Sequence, residues 1–198
     1  AVRQLLAGGA QTEAVDTFGL TPLHEAACNG HQEVVSLLLA GGAQIEAVDK
    51  IGQTPLHGAA NGGHPEVVSL LLAGGAQTEA VDKNGQTSLH LAANGGNLEA
   101  VRLLLAGGAR TGAVDKNGQT PLHVAASGKH PEVVSLLLAG GAQTEAVDKN
   151  GHTPLHVAAY GSNPEVVSLL LAGGAQTEAV DKVRRTVGKW AVHGVWIV

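Results

Sequence analysis

The chain has 198 residues, of which 2% are aromatic and 44% hydrophobic, so its core must be built from Leu, Val and Ala; that argues against a large mixed globule and suits thin, closely stacked helices. A net charge of -5, with no stripe of Lys or Arg able to neutralise successive phosphates, argues against nucleic acid as a partner, and the pair Arg184-Arg185 reads as solvated surface. One cysteine, Cys28, permits neither an intrachain disulfide nor a thiolate zinc site, and there is no apolar run of about 18 residues to cross a membrane.

The N-terminus, Ala1-Val2-Arg3, lacks the charged and apolar segments of a signal peptide, so a cytoplasmic address is expected. The absence of methionine predicts a chain that was processed or cut from something longer. Val2, Leu5, Leu6, Gly9 and Ala10 follow the pattern of a second helix seen further on, which makes residues 1–15 a partial repeat. Thr-Pro-Leu-His then begins at Thr21, Thr54, Thr120 and Thr153, with Thr87-Ser88-Leu89-His90 filling the gap, always 33 residues apart. Asp16, Asp49, Asp82, Asp115, Asp148 and Asp181 keep the same step without insertion. Five full repeats follow: 16–48, 49–81, 82–114, 115–147 and 148–180.

The unit 82–114 shows the local chemistry. Asp82-Lys83-Asn84-Gly85 has the Asp-first, Gly-fourth preference of a type I turn. Asn84-Gly85 alone would equally suit a type I′ hairpin, but β-branched Ile51 holds the place of Asn84 one repeat earlier and would be strained at positive φ. Thr87 has the chemistry of an N-cap, and in four repeats the next residue is Pro, the favoured first helical position. A short helix runs through Leu89, Ala92 and Ala93 to Asn94-Gly95-Gly96, and a second runs from about Leu98 to Leu105 and ends at Gly107-Gly108. Helices this short are marginal alone in water, so each must pack on its neighbours. The small Ala26-Ala27 and its counterparts let helices approach closely.

These residues resemble a known family. Asp-x-x-Gly-x-Thr-Pro-Leu-His-x-Ala-Ala, followed by Gly-His, Glu-Val-Val-x-Leu-Leu-Leu and Gly-Ala, is similar to the ankyrin repeat over residues 1 to about 182. The resemblance implies a mainly α solenoid in which each unit sets a β-hairpin turn on an antiparallel helix pair. It also implies a protein-binding scaffold whose hairpin tips and first helices line a concave groove.

Three features depart from the family pattern. Glu46, Glu79, Glu145 and Glu178 hold the place of a family asparagine that can be hydroxylated, so that modification is expected to be closed here and the hairpin bonds to differ. Lys129 and Ser162 replace the terminator glycines Gly30, Gly63 and Gly96, predicting either an earlier helix end or a left-handed backbone at some cost. Residues 183–198 form a degenerate or truncated last repeat, whose apolar Val195-Trp196-Ile197-Val198 offers a self-association patch on an otherwise monomeric chain.

Nothing in the sequence predicts catalysis, a cofactor or a metal. His24, His57, His90, His123 and His156 occupy one place in successive repeats, whereas zinc needs three or four ligands around a point. In the family this histidine bonds to neighbouring backbone. His31, His64 and His130 precede second helices, where capping or packing is expected. The serines of the second helices lack a nearby base, and the Gly-Gly pairs lack the Lys-Ser/Thr of a phosphate loop.

Recognition remains. The resemblance puts it at the tips, on Thr17, Phe18, Leu20, Lys50, Ile51, Gln53, Lys83, Asn84, Gln86, Lys116, Asn117, Gln119, Lys149, Asn150 and His152. On the helix face it adds Glu25, Cys28, Asn29, Asn61, Asn94, Ser127 and Tyr160. Phe18, Leu20, Ile51 and Tyr160 are the large apolar members, where interface energy concentrates. A partner protein is expected; the alternative is a regulatory or targeting segment of a larger enzyme or channel.

Overall fold

Each unit opens on an aspartate that closes a tight turn. The Asp82 Oδ1 accepts from the backbone N–H of Asn84 at 2.7 Å and of Gln86 at 2.9 Å, while Gly85 N–H donates to the Asp82 carbonyl at 2.9 Å. Asp16, Asp49, Asp115 and Asp148 repeat the pair of carboxylate bonds. Among the described residues the only non-glycine positive φ values belong to Lys129 and Ser162, so Asn84 keeps negative φ and the turn is type I, as expected. Gly85 has φ +76, and a Cβ there would lie 3.0 Å from the Lys116 nitrogen, so both conformation and the next repeat's backbone require glycine.

This computed structural model describes residues 11–183 and Thr186. The first ten residues of the expected partial repeat and nearly all of the degenerate last one, with its apolar patch, lie outside the described residues. Ten helices are described: α1 (Pro22–Cys28), α2 (Gln32–Ala40), α3 (Pro55–Gly62), α4 (Pro65–Ala73), α5 (Ser88–Asn94), α6 (Leu98–Ala106), α7 (Pro121–Gly128), α8 (Pro131–Ala139), α9 (Pro154–Tyr160) and α10 (Pro164–Ala172). None is long and apolar enough to cross a membrane. The hairpins contain no extended strand among these residues, only an isolated bridge between Val180 and Thr186. Their ordering comes from bonds between repeats instead: Lys50, Lys83, Lys116, Lys149 and Lys182 donate backbone N–H to the carbonyls of Phe18, Ile51, Asn84, Asn117 and Asn150.

Odd-numbered helices begin on Thr21, Thr54, Thr87, Thr120 and Thr153, each in extended backbone and each forming a reciprocal box with the histidine three residues on. Leu23, Leu56, Leu89, Leu122 and Leu155 on these helices are fully buried, as are Leu71, Leu104, Leu137 and Leu170 on the even-numbered ones. Each such leucine contributes roughly 1.5–3 kcal/mol. The alanine pairs, such as Ala92 and Ala93 at 0% exposure, bring the odd helices closer to one another than the bulkier Val and Leu allow the even helices to come. The stack therefore curves with the odd helices on the inner side.

Lys129 and Ser162 answer the question left open by the missing glycines. Both take left-handed backbone, φ 61 and 52, close to the φ 67–69 of Gly30, Gly63 and Gly96, and neither α7 nor α9 ends earlier than its counterparts. Of the capping or packing expected of the side chains before the even helices, only Asn163 makes a capping bond, to the Val166 N–H, and His31, His64, Asn97 and His130 make none. His64 Nε2 donates to the Cys28 carbonyl, His130 Nε2 to the Asn94 carbonyl, and Asn97 Nδ2 to the carbonyls of Ala60 and Asn61, all tying one repeat to the preceding one.

Candidate functional site: the hairpin row and the inner helix face

The recurring histidines are structural links. In the middle repeat the Thr87 N–H donates to His90 Nδ1 at 3.2 Å, which leaves Nε2 as the protonated nitrogen, and Nε2 donates to the Gln119 carbonyl of the next repeat at 3.0 Å. His24, His57 and His123 do the same toward Gln53, Gln86 and His152. Burial pushes His57, His90 and His123 below the ordinary imidazole range, against the weaker opposing pull of those carbonyls and the hairpin aspartates. Neutral rings with both nitrogens committed to the backbone fix the hairpin of one unit against the helix of the one before.

That scaffold sets which side chains face outward. Thr17, Phe18, Lys50, Ile51, Lys83, Asn84, Lys116, Asn117, Lys149 and Asn150 are exposed at the turns. Glu25, Cys28, Asn29, Asn61, Asn94, Ser127 and Tyr160 are exposed along the odd helices, lining the inner side of the curve. Phe18, Ile51 and Tyr160 are 68%, 52% and 74% exposed.

Leu20, Gln53, Gln86, Gln119 and His152 differ from the expected free tips, being half-buried. Their backbone N–H groups are held by the turn aspartates, and the carbonyls of the last four receive the preceding histidines. These positions close the hairpin and leave less side chain for a partner. Cys28 is exposed, yet its thiol is pushed upward by burial, then by Glu25 and Asp49, which keeps it protonated and a poor nucleophile.

Three outward features have partners or exposure that the sequence does not reveal. His152 stands where the second to fourth repeats have glutamine and lies with Nδ1 3.4 Å from Asp148 and Nε2 3.7 Å from Asp181. With Tyr160 and Val157 it lines a 460 Å³ cleft at the C-terminal end of the inner face. Glu13, Glu46, Glu79 and Glu145 reach forward to accept the backbone N–H of Gln44, Gln77, Arg110 and Gln176 at 2.9–3.0 Å. Gly112 interrupts that series. Finally, Val15, Val48, Val81, Val114, Val147 and Val180 are 56–63% exposed, one per repeat, immediately before the turn aspartate. The only signal for this row was that valine recurs there without exception, and a recurring valine looks like core until its neighbour is known to be buried.

A family model described as ankyrin repeats (3 copies) matches residues 1–82, 41–115, 70–148 and 89–186. A search of the curated proteins finds no match. Overlapping matches across nearly the whole length, on a sequence whose own repeats keep a 33-residue step, agree with the helix pairs, the Thr–His boxes and the linked turns, and the chain belongs to the ankyrin-repeat family.

Proposed function

We propose that this array is a scaffold that holds a partner protein through its hairpin turns and the inner face of the odd helices. Ankyrin repeats are protein-interaction modules, and the observation that carries the reading to particular residues is the exposure of Phe18, Ile51 and Tyr160. Large apolar side chains in water gain most from being covered, and aromatic residues dominate interface energetics. The even helices offer less: their outer positions carry Glu33, Glu66, Glu99, Glu132 and Glu165 with the serines Ser36, Ser69, Ser135 and Ser168.

Site-directed photo-crosslinking tests the reading. A crosslinker at Ile51 captures a discrete partner from cell extract, while one at Ser69 on α4 captures none. Equal capture at both positions, or capture at Ser69 alone, contradicts it.

A further inference from the structure

Four of the steps from one repeat to the next are tied by a glutamate. Glu13, Glu46, Glu79 and Glu145 each carry a carboxylate forward to the backbone N–H found 31 residues later, at 2.9–3.0 Å. Such bonds to an ionised acceptor are stronger than those to a neutral one. The third repeat breaks the series, because Gly112 stands where its glutamate would be. The corresponding donor, the Gln143 N–H, has no hydrogen-bond partner among the described residues, and the Gln143 side chain is turned to the Gly141 carbonyl. Gln143 is itself an exposed residue.

Space accompanies the missing side chain. A Cβ on Gly112 would meet nothing within 4 Å, and Gly112 forms part of the wall of a 620 Å³ cleft shared with Glu79, Val81, Arg110 and Val114. At the sibling steps a glutamate crosses on two methylenes to reach its N–H. Here that path is open to a side chain arriving from outside.

Charge changes at the same place. The segments 44–50, 77–83, 143–149 and 176–182 each hold one Glu, one Asp and one Lys, a net -1, whereas 110–116 holds Arg110, Asp115 and Lys116, a net +1. Glu79 of the preceding hairpin offsets Arg110, accepting its backbone N–H on Oε1 at 3.0 Å and its Nε on Oε2 at 2.7 Å, so both carboxylate oxygens are engaged. Glu145, the next acid along the row, is turned forward to Gln176. An incoming carboxylate therefore meets one backbone donor in a cleft whose charged lining, Glu79 and Arg110, is already paired. At each sibling step the resident glutamate holds the donor and repels a second anion.

Resting on the scaffold reading above, we infer that the step between the third and fourth repeats binds a glutamate side chain of the partner protein, whose carboxylate accepts the Gln143 N–H in place of the one Gly112 lacks. A glutamate is chosen because the four sibling donors are each served by a carboxylate carried on two methylenes. The probe is the blocked peptide acetyl-Gln-Thr-Glu-Ala-Val-amide, the stretch 77–81 that supplies the carboxylate one step earlier, titrated into the isotope-labelled full chain at neutral pH and followed by amide NMR. The Gln143 amide proton moves downfield, and the binding weakens as salt is added. The Gln44, Gln77, Arg110 and Gln176 amides, already bonded to a carboxylate, hold still. The same peptide with Gln in place of Glu binds about ten-fold or more weakly, and so does that Gln peptide ending in a free carboxylate. In Gly112→Glu the Gln143 amide begins downfield and no longer responds, while the other amides keep their positions.

An unmoved Gln143 amide, equal movement of the sibling amides, equal binding of the Gln peptide, or a full response in Gly112→Glu overturns the inference. Stronger binding of the peptide with the free terminus also overturns it, by assigning the donor to a chain-terminal carboxylate. If crosslinking from Ile51 captures a partner while the glutamate peptide leaves Gln143 unmoved, this inference falls and the scaffold reading survives.

Discussion

Lys129 dictates what Asn163 can do across the junction of the fourth and fifth repeats. Two repeats earlier, Asn97 lies where a Cβ on Gly63 would meet its Oδ1 at 2.6 Å, and from there its Nδ2 reaches the Ala60 and Asn61 carbonyls at 2.8 and 2.9 Å. Lys129 puts a Cβ into the corresponding space. Asn163 turns back to accept the Val166 N–H of its own helix at 3.4 Å, and its buried Nδ2 has no hydrogen-bond partner among the described residues.

Lys129→Gly should therefore stabilise the array on two counts, relief of a left-handed non-glycine backbone, worth about 1–2 kcal/mol, and satisfaction of a buried amide, worth about 1–3 kcal/mol. The gain appears as a higher urea midpoint. In an Asn163→Ala background the second contribution is absent and the gain is smaller. Equal gains in both backgrounds would show that the two residues are not coupled.

Gly112 is the second position where a repeat departs from its siblings at a cost. A Cβ there meets nothing within 4 Å and its φ lies outside the left-handed region, so a side chain is accommodated freely. Gly112→Glu places a carboxylate to accept the Gln143 N–H, as Glu79 does for Arg110 at 3.0 Å. A gain of about 1 kcal/mol is expected from the bond together with reduced freedom of the unfolded chain. Gly112→Ala, measured alongside, reports the chain-entropy part alone; equal gains for the two variants would mean the carboxylate makes no bond.

The fold was legible because the period is strict and each turn, cap and terminator has its own chemistry: Ile51 settled the turn type and Thr87 the helix start. The half-burial of Gln53, Gln86 and Gln119 was not legible, since it arises from carbonyls receiving histidines 29 residues earlier in the chain. The role of His64, His130 and Asn97 was hidden for the same reason, their partners lying 36 or 37 residues away. Of the candidate site, Phe18, Ile51 and Tyr160 could be found as apolar residues in polar company. The valine row could not, because exposure depends on which way a residue points once Asp82 and its counterparts have turned inward.

Stability should fall in mild acid. His57, His90 and His123 have folded-state pKa values below those of the unfolded chain, because burial outweighs the carbonyls and carboxylates that oppose it. Adding a proton at Nδ1 also breaks the bond from the threonine N–H. Unfolding therefore takes up protons once the pH drops to the unfolded imidazole range near about 6.5, and the loss continues down to the folded values, at up to roughly 1.4 kcal/mol per pH unit for each histidine. The urea midpoint is level from about pH 8 to 7 and declines from about pH 7 to 5. A midpoint that rises over that lower interval contradicts the neutral, doubly bonded rings.

Ala92 is fully buried where α5 lies between α3 and α7. Ala92→Phe overpacks that contact and should cost about 1–3 kcal/mol or more, seen as a lower urea midpoint. The exposed control Asn94→Phe, on the same helix, should leave the midpoint within about 0.5 kcal/mol of the parent. Matching midpoints for the two variants would mean that close approach of the odd helices is not needed.

Far-UV circular dichroism of the excised unit 82–114, set against the whole array, is the most direct measurement of whether one repeat takes its structure from its neighbours. With helices of seven and nine residues and no adjacent carbonyl for His90 Nε2, the peptide is expected to be unfolded at temperatures where the array melts in a cooperative, strongly helical transition. A peptide as helical per residue as the array, with a cooperative melt of its own, would contradict the account.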